Sequence, residues 1–328
     1  MIFTAGTDAR ISAGYKNQSV KKIKDRGPEI PKTQDSCLLS FRGGFAKMEK
    51  KKGILQGGGP LYRNLLFSIT CFLQKTILEI NMHNTNRVEI LGVPVDMVDR
   101  EQAFSIFEDI FKNAGCSMIV TPNSEIVQNA SKDEELRSLI ASADLIIPDG
   151  IGLVYASKVM GCPLSERVTG IDFLESIISH LAKTGESIFF FGSKPGVAEK
   201  AADKMREKYP GLQVAGAHDG YFKPEEEEQI LSQIAQSGAD FLCVALGAPK
   251  QERFIAKYRE QLGAGGVRGA IGVGGSLDVW AGDLKRAPEF YRKHGLEWLY
   301  RFIQQPTRFK RMLALPAFML RVIFTKGK

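Results

Sequence analysis

Histidine and cysteine are scarce in this 328-residue chain, which has four of the first and five of the second. Cys37, Cys71, Cys116, Cys162 and Cys243 are widely scattered, odd in number and form no CxxC pair. That spacing argues against a zinc site or a disulfide framework and suits a reducing cytoplasm. Several signatures of ligand chemistry are also missing. The chain has no GxxxxGK[ST] phosphate loop, no HExxH zinc helix and no GxSxG with a triad order behind it. No GxGxxG follows the first apolar run, which weakens a nicotinamide- or flavin-dependent oxidoreductase. No DxD occurs, so a metal-bridged nucleotide diphosphate is not suggested, and the expectation is chemistry without a metal or other cofactor. Long apolar runs are absent too. The best candidate, Leu65 to Ile80, is interrupted by Gln74, Lys75 and Glu79 and falls about one turn short of the roughly 20 residues of a span. It also lies too far into the chain for an ordinary secretory signal.

What is present is ordinary globular composition, 44% hydrophobic and 25% charged, with a marked charge asymmetry. Residues 1–86 carry 14 Lys/Arg and 6 Asp/Glu, residues 87–284 carry 19 and 29, and residues 285–328 carry 11 and 2. The net +7 therefore belongs to the two ends, around an acidic body. Nucleic-acid-binding domains place positive charge on the folded face, so no nucleic-acid partner is expected. A basic tail rich in aromatics points to a membrane surface or a phosphate-bearing ligand.

Three regions follow. Residues 1–85 are rich in Lys, Gly, Ser and Gln, and Gly57-Gly58-Gly59-Pro60 breaks any helix there. They read as a disordered leader, or as an extension ahead of a natural start at Met82. From residue 86 to 284, apolar runs alternate with helix-length amphipathic stretches. The runs are Val88–Val93, Cys116–Val120, Leu145–Ile147, Ile188–Phe191, Leu212–Ala215, Phe241–Leu246 and Ala270–Val273. Helices are expected near 99–113, 123–141, 150–160, 170–183, 196–208, 225–236 and 249–260. Strands apolar throughout and separated by helices specify an α/β body, with a Rossmann-like, mostly parallel sheet covered on both faces. Residues 285–328 form a basic helical C-terminal appendage. Two helices are expected there, 287–303 and 307–324, separated by Pro306, with Pro316 disturbing the second. They read either as core-packing helices with a solvated basic face or as a membrane-docking unit, and the charge jump favours docking.

Open parallel sheets bind ligands at the carboxyl ends of their strands. Five runs end in small or polar residues: Thr121-Pro122-Asn123-Ser124, Pro148-Asp149-Gly150, Gly192-Ser193-Lys194-Pro195-Gly196, Gly247-Ala248-Pro249-Lys250-Gln251-Glu252, and Gly274-Gly275-Ser276. Five such ends suggest one crevice. Glycine loops let backbone N–H groups approach a diphosphate, though a plain strand-to-helix turn accounts for each loop equally well. Asp149 ends a buried strand, where burial would raise its pKa toward that of a general base, and N-capping of the next helix is the equal alternative. His218 reads as a loop residue with a structural hydrogen bond.

The ordered set Thr121-Pro122-Asn123, Pro148-Asp149-Gly150, Glu166-Arg167-Val168-Thr169-Gly170, Gly192-Ser193, Gly247-Ala248-Pro249-Lys250-Gln251-Glu252 and Gly272-Val273-Gly274-Gly275 resembles the WecG/TagA/CpsF glycosyltransferase family. The resemblance runs from about Val88 to about Phe309. It implies an inverting, metal-independent enzyme moving N-acetylmannosamine, or its uronic acid, from UDP to undecaprenyl-diphosphate-linked N-acetylglucosamine. The product would feed teichoic acid or another surface polysaccharide. Carried over residue by residue, the catalytic set is Asp149, which looks like the base, with Thr121, Arg167 and Gln251. Thr121 and Asn123 look like pocket residues at the sugar and the reaction centre, and Arg167 and Gln251 like polar groups contacting donor or acceptor. Gly150, Gly192, Ser193, Gly247, Lys250, Gly274 and Gly275 are the candidate substrate-binding positions of the loops. Arg308 looks like a tail arginine reaching a diphosphate, with Arg301 and Arg311 as weaker candidates. The implied partners are a UDP-sugar, a lipid-linked acceptor and the inner face of the plasma membrane, where the enzyme would sit peripherally. Self-association that hides the apolar tail is a further expectation. The rival readings are a Rossmann oxidoreductase and a non-enzymatic lipid-binding module.

Overall fold

A computed structural model describes residues 86–304, Pro306 and the helix 309–325. The leader, with its Leu65–Ile80 run and Met82, lies outside the described residues, as do Arg308 and the side chain of Arg311.

The first apolar run does not join the main sheet. Leu91 and Gly92, both at positive φ, turn it into a two-stranded antiparallel hairpin of β1 (Arg87–Ile90) and β2 (Val93–Asp96). Two consecutive positive-φ residues suit a tight hairpin turn. Asp96 accepts from the Arg87 guanidinium across the hairpin at 2.7 Å and docks the hairpin by accepting from the Ile146 N–H at 2.7 Å.

The remaining strands are β3 (Ser117–Val120), β4 (Leu145–Ile146), β5 (Ser187–Gly192), β6 (Gln213–His218), β7 (Phe241–Ala245) and β8 (Gly269–Gly272). They form one sheet in the order β4-β3-β8-β7-β5-β6, with every pairing parallel. The strands are apolar on both faces because both faces are covered. Met118, Val120, Phe189, Phe191, Leu242 and Val244 enter one core, and their neighbours Ile119, Ile188, Phe190, Phe241, Cys243 and Ile271 enter the other. That is the period of two expected of strands buried between helix layers.

The helices are α1 (Arg100–Phe111), α2 (Ser124–Ala130), α3 (Glu134–Ala141), α4 (Ile151–Met160), α5 (Gly170–Thr184), α6 (Val197–Lys208), α7 (Glu227–Gln236), α8 (Lys250–Ala264), α9 (Ser276–Trp280), α10 (Glu289–Lys293), α11 (Glu297–Gln304) and α12 (Phe309–Thr325). Three differ from the pattern reading. The stretch 123–141 is two helices, because the Asp133 side chain accepts from the Leu136 N–H and caps a fresh start. The stretch 287–303 breaks at Gly295, where φ is +68° and a Cβ would stand 2.8 Å from Ile151 Cγ1. Only glycine fits both that conformation and that approach, and the bend seats the turn before α11 against the start of α4.

The third difference is Pro316, which α12 passes through unbroken. Phe318 and Val322 of α12 are fully buried in the body's core, where the helix packs on α2 and α4. Burying such side chains contributes about 1.5–3 kcal/mol each. Together they offset the roughly 3 kcal/mol that an interior proline costs. The appendage is thus core on one face, while Leu320, Ile323 and Phe324 are exposed on the other.

Candidate active site

The chain leaves β3 toward one sheet edge and β5 toward the other, and β7 and β8 fill the middle. A crevice opens where such directions diverge, at the carboxyl ends of the strands. Here it is a cleft of about 1100 Å³. The loops after β3, β4, β5, β7 and β8 all contribute to its lining. Thr121, Asn123, Asp149, Arg167, Ser193, Gly247, Lys250, Gln251, Gly274 and Gly275 all line it. Gly150 lines a smaller adjoining cavity of about 230 Å³, which shares Asn123, Asp149 and Arg167 with the cleft. Gly192 lines neither of these two cavities.

The two readings of Asp149 separate here. The N-cap of α4 is Gly150, with no side-chain cap bond, so the Asp149 carboxyl is not spent on the helix. The residue is fixed through its backbone, whose N–H donates to the Pro122 carbonyl at 3.0 Å. Burial is the largest influence on its pKa and pushes it up. The Arg167 and Arg301 guanidiniums and the Gly170 N–H pull it down, and Glu297 pushes it further up.

Other positions carry framework duties beside the cleft. The Thr121 hydroxyl donates to the Gly272 carbonyl at 3.0 Å, tying the end of β3 to the end of β8. The Asn123 side-chain oxygen caps α2 by accepting from the Glu125 and Ile126 N–H groups at 3.0 Å each. Gln251 is buried, and its side-chain oxygen accepts from the Gly274 N–H at 2.9 Å. Ser193 sits at a φ of +63° and donates from its hydroxyl to the Asp278 carboxylate at 3.0 Å. Gly192 answers to packing, since a Cβ there would lie 2.5 Å from the Ala245 backbone on the neighbouring strand. His218 ends β6 with its Nδ1 2.7 Å from the Asp219 carbonyl oxygen, as a structural loop histidine would.

Sequence reasoning missed Glu297. It lies at the start of α11, lines both cavities and pairs with the Arg167 guanidinium, with Arg301 one turn further along. Its only signal was being one of two acids in a tail with eleven basic residues. Among the described residues, no cluster of three His, Cys, Asp or Glu could hold a metal ion, and no helix is long and apolar enough to cross a membrane.

With this geometry in place, comparison with known proteins decides the family. The model of the family described as "Glycosyl transferase WecG/TagA/CpsF family" matches residues 88–328. The chain belongs to that family. The transferase is also similar to individual proteins named N-acetylglucosaminyldiphosphoundecaprenol N-acetyl-beta-D-mannosaminyltransferase. One, from Bacillus spizizenii, is 40% identical over 207 residues, covering 63% of this chain and 79% of the relative. The Bacillus subtilis protein of that name is 38% identical over the same shares. The Staphylococcus aureus MW2 protein is 34% identical over 247 residues, covering 75% of this transferase and 95% of the relative.

Proposed function

We propose that this transferase moves N-acetyl-D-mannosamine from UDP onto N-acetylglucosamine carried on undecaprenyl diphosphate, with inversion, in teichoic-acid-type surface polysaccharide synthesis. The substrates follow the name shared by the relatives, and the observation that carries the chemistry is Asp149. A half-buried carboxyl with a raised pKa, which does not cap α4 and accepts from the Gly170 N–H at the start of α5, faces a cleft that also holds two guanidiniums. The Asp149 carboxylate takes the proton from the acceptor hydroxyl as the hydroxyl oxygen bonds to the anomeric carbon. The anomeric carbon–oxygen bond to UDP breaks on the opposite face, which gives the beta product. UDP departs with its electron pair, and its charge is met by Arg167, Arg301 and the backbone N–H groups of the glycine loops. No metal is required in this scheme. Thr121, Asn123, Gln251 and Lys250 shape the pocket around the two sugars.

The lipid-linked acceptor approaches from the tail side. The cavity beside Asp149 is walled there by Trp298, Phe302 and Leu315. We infer that the enzyme docks peripherally on the cytoplasmic membrane face. Exposed Ile303, Leu320, Ile323 and Phe324 would enter the interface, and the basic residues of the tail would meet anionic headgroups. Away from lipid, the same apolar face favours self-association.

The test is product analysis with a lipid-diphosphate N-acetylglucosamine acceptor and each of two donors, UDP-N-acetylmannosamine and its uronic acid. A beta-linked N-acetylmannosamine disaccharide on the lipid supports the reading. Transfer of the uronate alone replaces the donor, and transfer of neither overturns the proposal.

A further inference from the structure

Glu252 is the third residue of α8 and is 2% exposed. It lines no part of the cleft, and a buried carboxyl needs a reason. One oxygen, Oε1, accepts from the Gln251 side-chain nitrogen at 2.8 Å, and the other, Oε2, has no hydrogen-bond partner. Burial pushes its pKa up, against the Gln251 amide and its own backbone N–H. Carrying an unsatisfied buried oxygen costs stability, so the packing of α8 does not explain the residue.

The Gln251 amide offers an explanation. Its Oε1 accepts from the Gly274 N–H, and its Nε2 lies against Gly272, where a Cβ would stand 2.7 Å away. An amide turned by 180° would set its NH2 group against the Gly274 N–H, donor against donor. The acceptor that selects the observed orientation from the other side is Glu252 Oε1. The chain Glu252–Gln251–Gly274 therefore runs from a buried carboxyl to the backbone of the loop after β8, which lines the cleft.

We propose that Glu252 is a positioning residue for the transfer reaction. As an obligatory acceptor it locks the Gln251 amide, and through that amide it fixes the Gly272–Gly275 loop that receives the donor. The role requires an oxygen, not a charge. It rests on the reading of this cleft as the donor site.

The experiment measures kcat and KM for the sugar-nucleotide donor, together with Tm, for Glu252→Gln, Glu252→Met, Gln251→Leu and the double variant Gln251→Leu/Glu252→Met. Glu252→Gln keeps an acceptor oxygen and is expected within about threefold of wild type. Glu252→Met removes the acceptor and the orphan oxygen together. Its expected kcat/KM is at least tenfold lower, mostly through KM, while its Tm is unchanged or higher. The double variant is expected to be no worse than Gln251→Leu alone, because the two residues act through one path. Full activity of Glu252→Met, multiplicative losses in the double variant, or an equal loss in Glu252→Gln would each overturn the proposal. If Glu252→Met does not fold, Glu252→Ala, which also lacks the acceptor, takes its place, and its full activity would equally overturn the proposal. Full activity of Gln251→Leu would also overturn the proposal, whereas a wild-type enzyme that does not turn over the sugar-nucleotide donor would remove the donor-site reading itself.

Discussion

Arg167 and Glu297 stand 130 positions apart in the chain and pair in the wall of the cleft, each side chain 14% exposed. One comes from the loop before α5 and the other from the tail helix α11, so the appendage helps to build the cleft. Removing Glu297 leaves a partly buried guanidinium unpaired and free to move. Glu297→Ala is expected to lower kcat/KM by about tenfold or more, in line with the cost of misplaced catalytic groups. Because Glu297 pushes the Asp149 pKa up, its removal should also move the acid limb of the pH–rate profile to lower pH. An unchanged profile with unchanged activity would contradict the pairing's role.

Asp149 gives a second pH statement. Its pKa in the folded protein is raised above 3.8, its ordinary value. The folded state therefore holds the proton more tightly than the unfolded chain. Stability from that proton is complete below the ordinary value and is lost as pH rises through the raised one. Near neutral pH the carboxylate is a burden on the fold. Asp149→Asn should unfold at the same or a higher temperature than wild type at pH 7, with that advantage shrinking in acid. A clear loss of Tm at pH 7 would mean that the carboxylate supports the fold.

The fold was largely legible because buried parallel strands are continuous apolar runs with small or polar residues at their carboxyl ends. The cleft was legible for the same reason, since the loops ending those runs are its walls. Two kinds of information were not. Gly92 and Gly295 redirect the chain through left-handed conformations and tertiary approach, and apolar periodicity is blind to both. Glu297 and Arg167 meet where the turn at Gly295 seats on Ile151 of α4, so no spacing in the sequence announces the pair. Glu252 was visible only as a letter in a motif, because its value lies in the orientation of its neighbour.

Gly192 is predicted to be intolerant of any side chain. Its φ is +123°, and a Cβ would stand 2.5 Å from the Ala245 carbonyl carbon. Backbone strain of this kind costs about 1–3 kcal/mol, to which separating β5 from β7 adds. Gly192→Ala should lower stability by more than about 3 kcal/mol in denaturant unfolding. A loss under about 1 kcal/mol would show that the strand ends can part freely.

The two faces of α12 should separate by mutation. Phe324 is 75% exposed and Phe318 fully buried. Phe324→Asp, combined with Ile323→Glu, should leave Tm nearly unchanged and reduce binding to anionic lipid vesicles several-fold. Phe318→Ala should cost about 3–5 kcal/mol of stability. Vesicle binding that survives the double charge substitution would place the membrane contact elsewhere.

In the proposed reaction Asp149 is the base and no metal takes part. Its most direct test is UDP release from UDP-N-acetylmannosamine with a lipid-diphosphate N-acetylglucosamine acceptor, in EDTA, for wild type and Asp149→Asn side by side. The account predicts turnover in wild type that survives EDTA and falls at least a hundredfold in the variant, the scale on which general-base catalysis acts. Turnover abolished by EDTA, or retained by Asp149→Asn, would contradict it.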